Sequence, residues 1–480
     1  MRRTKIITTI GPATSDPAMM EKLIMAGSDI VRINCSHANH DTIATIIQQT
    51  RKISQKIDRA IGVLLDLAGP KIRTGKMAGG IYPELKAGQK FVLTNRPVQG
   101  SSEMVSTNYA ALCREVHAGD TVMLDNGLIE LRVLETSDQD VVCEVATGGV
   151  LKDKKGINLP GVRLSLPPLR EKDQGDLTFG LAQGVDFVAL SFVQGPDDIR
   201  VLKKVIGNHW PPPLVIAKLE KPHLLEHLYE IIDVADGIMI ARGDLGVELP
   251  AESVPAMQKT IIKKANAKGK PVITATQMLD SMIEHPRPTR AEASDVANAI
   301  YDGTDAIMLS GETAVGAYPI EAVQMMDRIA CAAEASMDFS RLKEHDMSTS
   351  AHAVAHAGCD MAIDMKASAI ACFSKSGASA RWISQFRPPN RIIALVQDAH
   401  VYNQLTLNWG VTPIMLTDVM ESEATMTLVE ETLLAKGIVR PGEMLVITGG
   451  LPIAARGPTN FVKLSKLSSA DTGKSPVSKW

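Results

Sequence analysis

Short apolar runs alternate with stretches of helical periodicity along most of this 480-residue chain, and this alternation restricts the fold more than any other feature. The apolar runs cover residues 5–11, 29–35, 60–67, 185–193, 215–220, 237–246, 271–278 and 305–312. The helical stretches cover residues 16–26, 40–57, 171–183, 196–206, 222–234, 251–268, 290–302 and 319–337. Eight such units, in which helices join parallel strands, predict an α/β protein built on a (β/α)8 TIM barrel.

One long interruption separates the third strand from the fourth, and we assign residues 70–166 to an inserted domain. The interruption has many glycine-containing turns and no long helical periodicity, and Asn126-Gly127 between two apolar-rich runs predicts a β-hairpin. We therefore predict an all-β, β-barrel-like lid domain, hinged near Pro70 and near Pro167-Pro168. An insertion at the top of a barrel is well placed to exclude water from a site there.

The pattern changes again after about residue 340, and we predict a C-terminal α/β domain over 341–480 with an open sheet. The barrel then keeps residues 1–69 and 167–340. The predicted C-terminal strands cover 367–374, 391–396, 411–416, 444–448 and 459–467. The segment SKSGAS (374–379) lies between a strand and a helix, where backbone N–H groups can bind phosphate. The alternative is an ordinary Ser/Gly helix cap.

Composition excludes several classes of protein. The net charge of −3 and the aromatic content of 4% argue against a nucleic-acid partner. No apolar run approaches the ~18 residues of a membrane span, so we expect no membrane association. The six cysteines form no CxxC pair, which favours free thiols and a cytoplasmic protein.

Polar side chains follow the apolar runs where the predicted barrel strands end. In a (β/α)8 barrel these C-terminal ends converge on the active site. The residues there are Arg32, Asn34, Ser36, His37, Asp66, Lys218, Glu220, Asp244, Thr276, Gln277 and Glu312. Ordinary strand ends carry turn residues, so this convergence from six strands indicates a functional site.

The stretch 214–249 carries the most specific part of this pattern. Glu220 and Asp244 end two adjacent predicted strands, and two carboxylates so placed can hold Mg²⁺, which typically takes only one or two such ligands. Lys218 lies on the same strand face as Glu220 and can reach a group bound to that metal. The alternative is ordinary ion pairing at strand ends.

The chain resembles the pyruvate kinase family over essentially its full length. The matching segments include TKIITTIGPAT, VRINCSH, LLDLAGPKIRTG, AKLEKPHLL, IMIARGDLGVELP, ITATQMLDSM and PTRAEASDVANAIYDGTDAIMLSGETAVGAYP. The resemblance implies a (β/α)8 domain, a β-rich domain after the third strand and a C-terminal α/β domain, which is the order expected from periodicity. It also implies transfer of the phosphoryl group of phosphoenolpyruvate to ADP, giving pyruvate and ATP.

The resemblance further implies roles for individual residues. Glu220 and Asp244 match the ligands of Mg²⁺ (or Mn²⁺), and Lys218 matches the lysine that neutralises the phosphoryl group during transfer. The other substrate contacts are matched by Arg32, Gly243 and Thr276. The ligands of a monovalent cation are matched by Asn34, Ser36, Asp66 and the backbone of Leu67. The nucleotide contacts are matched by His37, Arg73 and Lys155.

Two positions depart from the family pattern. Lys71 stands where many members have a glutamate, and from the same loop its ammonium can reach the charge that K⁺ otherwise balances. K⁺ binding and replacement of K⁺ by Lys71 are therefore both open. Ala378 stands where effector-regulated members often have arginine. A phosphorylated sugar effector is expected at Ser374, Ser376, Gly377 and Ser379, and the family resemblance suggests a homotetramer.

Two other functions compete with phosphoryl transfer. A Mg²⁺-dependent lyase acting on a pyruvate-like enolate would account for Glu220, Asp244 and Arg32, but not for Arg73 and Lys155 on the lid. An inactive metabolite-binding regulator is disfavoured, because every residue matched to the metal and phosphate positions is present.

Overall fold

The computed structural model describes residues 2–162, 164–339, 349–416, 423–451 and 457–467. Its largest element is a closed barrel of eight parallel strands, in which the first strand also pairs with the last, Lys5 lying opposite Ala306. This confirms the predicted (β/α)8 barrel. The strands are Lys5–Thr9, Ile30–Asn34, Gly62–Asp66, Phe187–Leu190, Leu214–Leu219, Gly237–Ala241, Val272–Ala275 and Ala306–Leu309.

The barrel helices agree with the predicted series except near 222–234. There a 3₁₀ turn, Pro222–Leu225, precedes an α-helix that begins only at Leu228. Both forms place residues three or four apart on one face, so hydrophobic spacing does not distinguish them. The eight helices are Pro17–Met25, His40–Lys56, Glu171–Ala182, Pro196–Ile206, Leu228–Val234, Val254–Ala267, Arg290–Asp302 and Pro319–Ala335.

Most of the predicted runs extend beyond the observed strands, and 237–246 and 271–278 show why. The first ends at Ala241, and Arg242–Glu248 forms a short helix. The second ends at Ala275, because the next two residues have left-handed backbone. Other short helices at the rim are Ala251–Ser253, Asp280–Ile283 and Gly311–Ala314.

The inserted domain is rich in strands and has its own apolar core. A six-stranded sheet is accompanied by a two-stranded one. The predicted hairpin around Asn126-Gly127 is confirmed, with Leu124 opposite Ile129. The strands are Glu84–Leu85, Lys90–Thr94, Met104–Ser106, Thr121–Leu124, Ile129–Thr136, Asp140–Thr147, Gly149–Val150 and Ile157–Asn158. A 3₁₀ turn (Ala78–Gly80) and a short helix (Leu112–Glu115) depart from a purely β composition.

The C-terminal domain has a five-stranded sheet whose spatial order begins with Val411–Met415 and ends with an antiparallel strand, Phe461–Lys466. All five predicted strands are present. The sheet order is Val411–Met415, Arg391–Val396, Ala369–Phe373, Met444–Gly449 and Phe461–Lys466. The helices are Ser350–Asp364, Ala378–Gln385, Ala399–Gln404 and Glu423–Ala435, with a 3₁₀ turn at Leu405–Leu407.

The C-terminal domain closes the N-terminal end of the barrel. Leu407 is buried in the core inside the barrel, together with Ile30 and Phe187 at the starts of their strands. A Cβ at Gly62 would lie only 2.5 Å from Thr406 Oγ1, so a larger residue would push this turn away from the barrel. The opposite, C-terminal end of the barrel faces the inserted domain. None of the helices in the described part of the chain is long and apolar enough to cross a bilayer.

Candidate active site

A buried carboxylate, Asp66, links the cationic residues at the C-terminal end of the barrel. Asp66 is the last residue of its strand and lies beside Asn34, the last residue of the neighbouring strand. Nε and Nη2 of Arg32 both lie 2.7 Å from Asp66 Oδ2. Lys218 Nζ lies 3.3 Å from Asp66 Oδ1. Burial by itself would raise the pKa of Asp66, but the charges of Lys218 and Arg32 lower it below its ordinary value.

Lys218 is surrounded by oxygen atoms. Its ammonium donates to Ser191 Oγ (2.8 Å) and lies 3.0 Å from Glu220 Oε1. Burial favours the neutral amine, but the charges of Asp66 and Glu220 raise the pKa of Lys218 above its ordinary value. Lys218 is therefore cationic, fixed in position and largely dehydrated, which strengthens its attraction for a bound anion.

Ser191 is a site residue that the sequence analysis missed. Its hydroxyl donates to Leu67 O (2.7 Å) and accepts from Lys218. It directly follows the strand Phe187–Leu190, whose end contributed no residue to the predicted site. A polar residue inside that apolar run, directly after the strand, was the signal that could have identified it.

Glu220 and Asp244 form a carboxylate pair suited to a divalent cation. Glu220 is buried, its Oε2 accepts from the Phe192 N–H (2.7 Å), and its Oε1 accepts no directed hydrogen bond from the residues that the structure describes. Burial is the main cause that raises the pKa of Glu220, and the Asp244 charge adds to it, whereas Lys218 opposes it. A bound dication would relieve this repulsion.

The donor set has the size that Mg²⁺ prefers. In the described part of the chain, no three His, Cys, Asp or Glu side chains are grouped to hold a metal ion. Mg²⁺ commonly binds through one or two carboxylates and completes its shell with water and substrate phosphates. Glu220 and Asp244 fit that requirement.

Lys71 reaches this carboxylate pair from the start of the inserted domain. Its Nζ lies 3.1 Å from Asp244 Oδ1 and 5.6 Å from the centre of the Phe192 ring. Lys71 therefore pairs with Asp244 rather than with Asp66. The sequence predicts that the Lys71 ammonium can reach the charge that K⁺ otherwise balances, but it does not identify Asp244 as the partner.

The residues matched to the monovalent cation lie together at the ends of the second and third strands. Asn34 Oδ1 accepts from the Ser36 N–H (3.1 Å), and the Leu67 carbonyl accepts from Ser191. Asn34 and Ser36 are at least partly exposed, whereas Asp66 is buried. The four groups are near neighbours, but Asn34 Oδ1, the Leu67 carbonyl and the Asp66 carboxylate already accept hydrogen bonds or carry ion pairs.

Thr276 and Gly243 meet across two strand ends. The Gly243 N–H donates to Thr276 Oγ1 (2.6 Å), and this hydroxyl in turn lies 2.6 Å from the Ala275 carbonyl. Both predicted substrate contacts therefore occupy one side of the site. Glu312, by contrast, accepts from the N–H groups of Leu279 and Ser310, and this makes it a loop-stabilising residue.

The residues matched to the nucleotide are divided between barrel and lid. Arg73 donates to the Lys154 carbonyl (3.1 Å), and Lys155 pairs with Asp125 (2.8 Å) on the hairpin turn. His37 is exposed at the barrel rim. In the part of the chain that the structure covers, His37 shares no hydrogen bond or ion pair with Arg73 or Lys155.

A cavity of about 680 Å³ lies in the C-terminal domain. Its lining includes Ser374, Ser376 and Ser379, and also Trp210–Pro212 from the barrel. Gly377, with φ of 79°, forms the turn that starts the helix Ala378–Gln385. The Ser374 hydroxyl is buried without a hydrogen-bond partner among the described residues, whereas the Ser379 hydroxyl pairs with Thr459 Oγ1 (2.7 Å).

The shared role of Asp66 leads to a stability prediction. Asp66→Asn leaves two buried cations without their common anion, and losing one partner of a buried ion pair costs about 3–5 kcal/mol. We expect the free energy of unfolding at pH 7, measured by urea denaturation, to fall by that order. The advantage of the native carboxylate is complete above the unfolded-state pKa of about 4 and is lost as the pH falls through the lower folded-state pKa. Asp197→Asn, in an exposed ion pair with Arg200, is the control and should change little.

Comparison with known proteins is consistent with this geometry. The chain matches the profile "Pyruvate kinase, barrel domain" over residues 1–323 and the profile "Pyruvate kinase, alpha/beta domain" over residues 352–465. It is 43% identical over 470 residues to the pyruvate kinases of Staphylococcus aureus strains USA300 and NCTC 8325, covering 97% of this chain and 80% of theirs. A crystal structure of a pyruvate kinase from Cryptosporidium parvum superposes with a TM-score of 0.91 at 35% identity, covering 97% of this chain and 96% of that one. The chain belongs to the pyruvate kinase family.

Proposed function

We propose that the barrel site transfers the phosphoryl group of phosphoenolpyruvate to ADP, with Lys218 and Arg32 as the cations that act on the moving group. The observation that carries this proposal is the buried network in which Asp66 holds both cations. The phosphoryl transition state spreads negative charge over three oxygens, so catalysis depends on positioning and neutralisation. ADP-dependent release of pyruvate from phosphoenolpyruvate, in a coupled assay without aldehyde or ketone acceptors, is the direct test.

Glu220 and Asp244 would hold Mg²⁺ or Mn²⁺. When bound, the metal supplies positive charge to the substrate oxygens. The protein's own part is to fix the two carboxylates: Glu220 by the Phe192 N–H and Asp244 in the first turn of its short helix. Lys218, 3.0 Å from Glu220, can then touch a group bound at the metal.

Thr276 and Gly243 would serve the second half of the reaction, in which the enolpyruvate methylene carbon gains a proton. A hydroxyl is a poor acid by itself, so we assign to Thr276 the orientation of a water that relays the proton. Its short contact with the Gly243 N–H fixes the position of the oxygen.

On the lid, Arg73 and Lys155 would contact ADP, and His37 would do so from the barrel rim. Closing the lid excludes water and strengthens each of these charge interactions. No observation favours the lyase, which would leave Arg73 and Lys155 on the lid without a role. None favours the inactive regulator, since both carboxylates are present.

The cavity in the C-terminal domain supports binding of a phosphorylated sugar. Ser374, Ser376, Gly377 and Ser379 offer hydroxyl and N–H donors beside the N-terminus of an eight-residue helix, which favours anions. Ala378 offers no cation there, so binding is expected to be weak or altered in preference. We also infer a homotetramer, as the family resemblance suggests, and a cytoplasmic location, which agrees with six free cysteines.

The first test separates the two half-reactions. Lys218→Ala should lower phosphoryl transfer by roughly three to five orders of magnitude, by analogy with the loss of an arginine finger. Exchange of the pyruvate methyl hydrogens with solvent should persist, because that step depends on Glu220, Asp244 and Thr276. Proton NMR in D₂O alongside turnover measures both, and equal collapse of the two rates contradicts these roles.

The second test concerns the monovalent cation. With an intrinsic ammonium 3.1 Å from Asp244, we expect turnover without K⁺, and we expect Lys71→Glu to require K⁺. Turnover is measured with Mg²⁺ in tetramethylammonium buffer, with and without KCl at constant ionic strength. Strong activation of the unmutated protein by KCl counts against the replacement of K⁺ by Lys71.

The third test addresses the cavity in the C-terminal domain. A panel of mono- and bisphosphorylated sugars should change the sigmoidicity of the response to phosphoenolpyruvate, and Ser376→Glu should abolish the change by repelling the phosphate. Turnover without any sugar phosphate, unchanged by the substitution, is the internal control. If wild type and variant respond identically to every ligand, the loop is a helix cap only.

A further inference from the structure

Two consecutive residues at the edge of the site have an unfavourable backbone conformation. Thr276 and Gln277 have φ of 70° and 53°, in the left-handed region that L-residues other than glycine rarely adopt. They directly follow the strand Val272–Ala275. This conformation persists only if neighbouring groups hold it, and one of its residues carries the hydroxyl assigned to proton relay.

Arg242 holds the backbone of Thr276 and Gln277 in this conformation. Its Nη2 donates to the carbonyls of both residues, Thr276 at 3.0 Å and Gln277 at 3.3 Å. Its Nη1 lies 2.7 Å from the Asp295 carboxylate, and the side chain is buried. A rigid, buried guanidinium with one anchor and two carbonyl contacts constrains the backbone more than a flexible ammonium can.

The same segment also fixes the Thr276 side chain. Gly243, the residue after Arg242, donates its N–H to Thr276 Oγ1 at 2.6 Å. Asp244 follows one residue later. The backbone and the hydroxyl of Thr276 are thus both set by the first turn of the helix that carries a carboxylate of the metal pair.

We propose that Arg242 is a positioning residue for the Thr276 hydroxyl and acts selectively on the proton-transfer half of the reaction. The proposal rests on the proposed role of Thr276. In the reverse sense of that step, a methyl C–H bond of pyruvate breaks, its electron pair enters the enolate, and the proton passes through the relay water to solvent. The phosphoryl group is not involved, so Lys218 and Arg32 work without Arg242.

The test compares the two half-reactions in Arg242→Met. Exchange of pyruvate methyl hydrogens should fall about 100-fold, the usual cost of a small misplacement. Phosphoryl transfer, followed as ATP formation in a rapid-quench single turnover, should fall by no more than about tenfold, because it does not depend on the Thr276 hydroxyl. Arg242→Lys should restore part of the exchange. If Arg242→Met fails to fold, Asp295→Asn, which releases the anchor, should produce the same imbalance.

Arg51→Met is a matched control. The Arg51 guanidinium also pairs with a carboxylate, Asp186 at 2.8 Å, and with two carbonyls, Ile61 at 3.0 Å and Gly184 at 2.8 Å, but at the opposite end of the barrel. Its loss should leave the ratio of exchange to transfer unchanged.

The double variant Arg242→Met/Thr276→Ala distinguishes the outcomes. If Arg242 acts through Thr276, the double variant exchanges no more slowly than Thr276→Ala alone. If the losses of exchange rate from the two substitutions multiply in the double variant, Arg242 does not act through Thr276. The inference is also wrong if Arg242→Met slows both half-reactions equally. Either result leaves the role of Thr276 intact. Unchanged exchange in Thr276→Ala overturns the role of Thr276 and this inference together.

Discussion

The ion pairs of Asp66 are the interaction on which the site depends. Burying Arg32, Lys218 and Glu220 near one another would be costly without compensation, because each ion loses its hydration. Asp66, between the two cations, offsets part of that cost and fixes their directions. The resulting cluster presents dehydrated positive charge at the end of the barrel, where an anionic substrate gains the most from it.

The inserted domain approaches this cluster through one short helix. Lys71 pairs with Asp244, Asn158 donates to Glu248 (3.3 Å), and a Cβ at Gly127 would lie 3.6 Å from Val247, all on Arg242–Glu248. The inserted domain therefore rests on the element that carries Asp244, one of the two proposed metal ligands, and the Gly243 contact to Thr276. These contacts link the position of the inserted domain to the geometry of the site.

The fold could be predicted from the sequence because each strand and helix has its own local periodicity, and parallel strands bring their ends together. For the same reason the strand ends Asp66, Lys218 and Glu220 were found. The hydrogen-bond and ion-pair partners of individual side chains were harder to predict from the sequence. The pairing of Lys71 with Asp244 depends on where the inserted domain lies, and Ser191 is a single hydroxyl residue within the apolar run 185–193. The left-handed backbone of Thr276 and Gln277 could not be predicted, because neither residue is a glycine.

We propose that Glu220 and Asp244 form the divalent-cation site beside Lys218. Titration with Mn²⁺, followed by the relaxation of water protons in the absence of substrate, tests it most directly. We predict one tight Mn²⁺ site per chain and a loss of affinity of at least about tenfold in Glu220→Gln and in Asp244→Asn, since even outer-shell partners contribute that much. Glu248→Gln, which alters a nearby buried carboxylate, should bind Mn²⁺ as wild type does. Unchanged Mn²⁺ affinity in both Glu220→Gln and Asp244→Asn would mean that these two carboxylates do not hold the divalent cation.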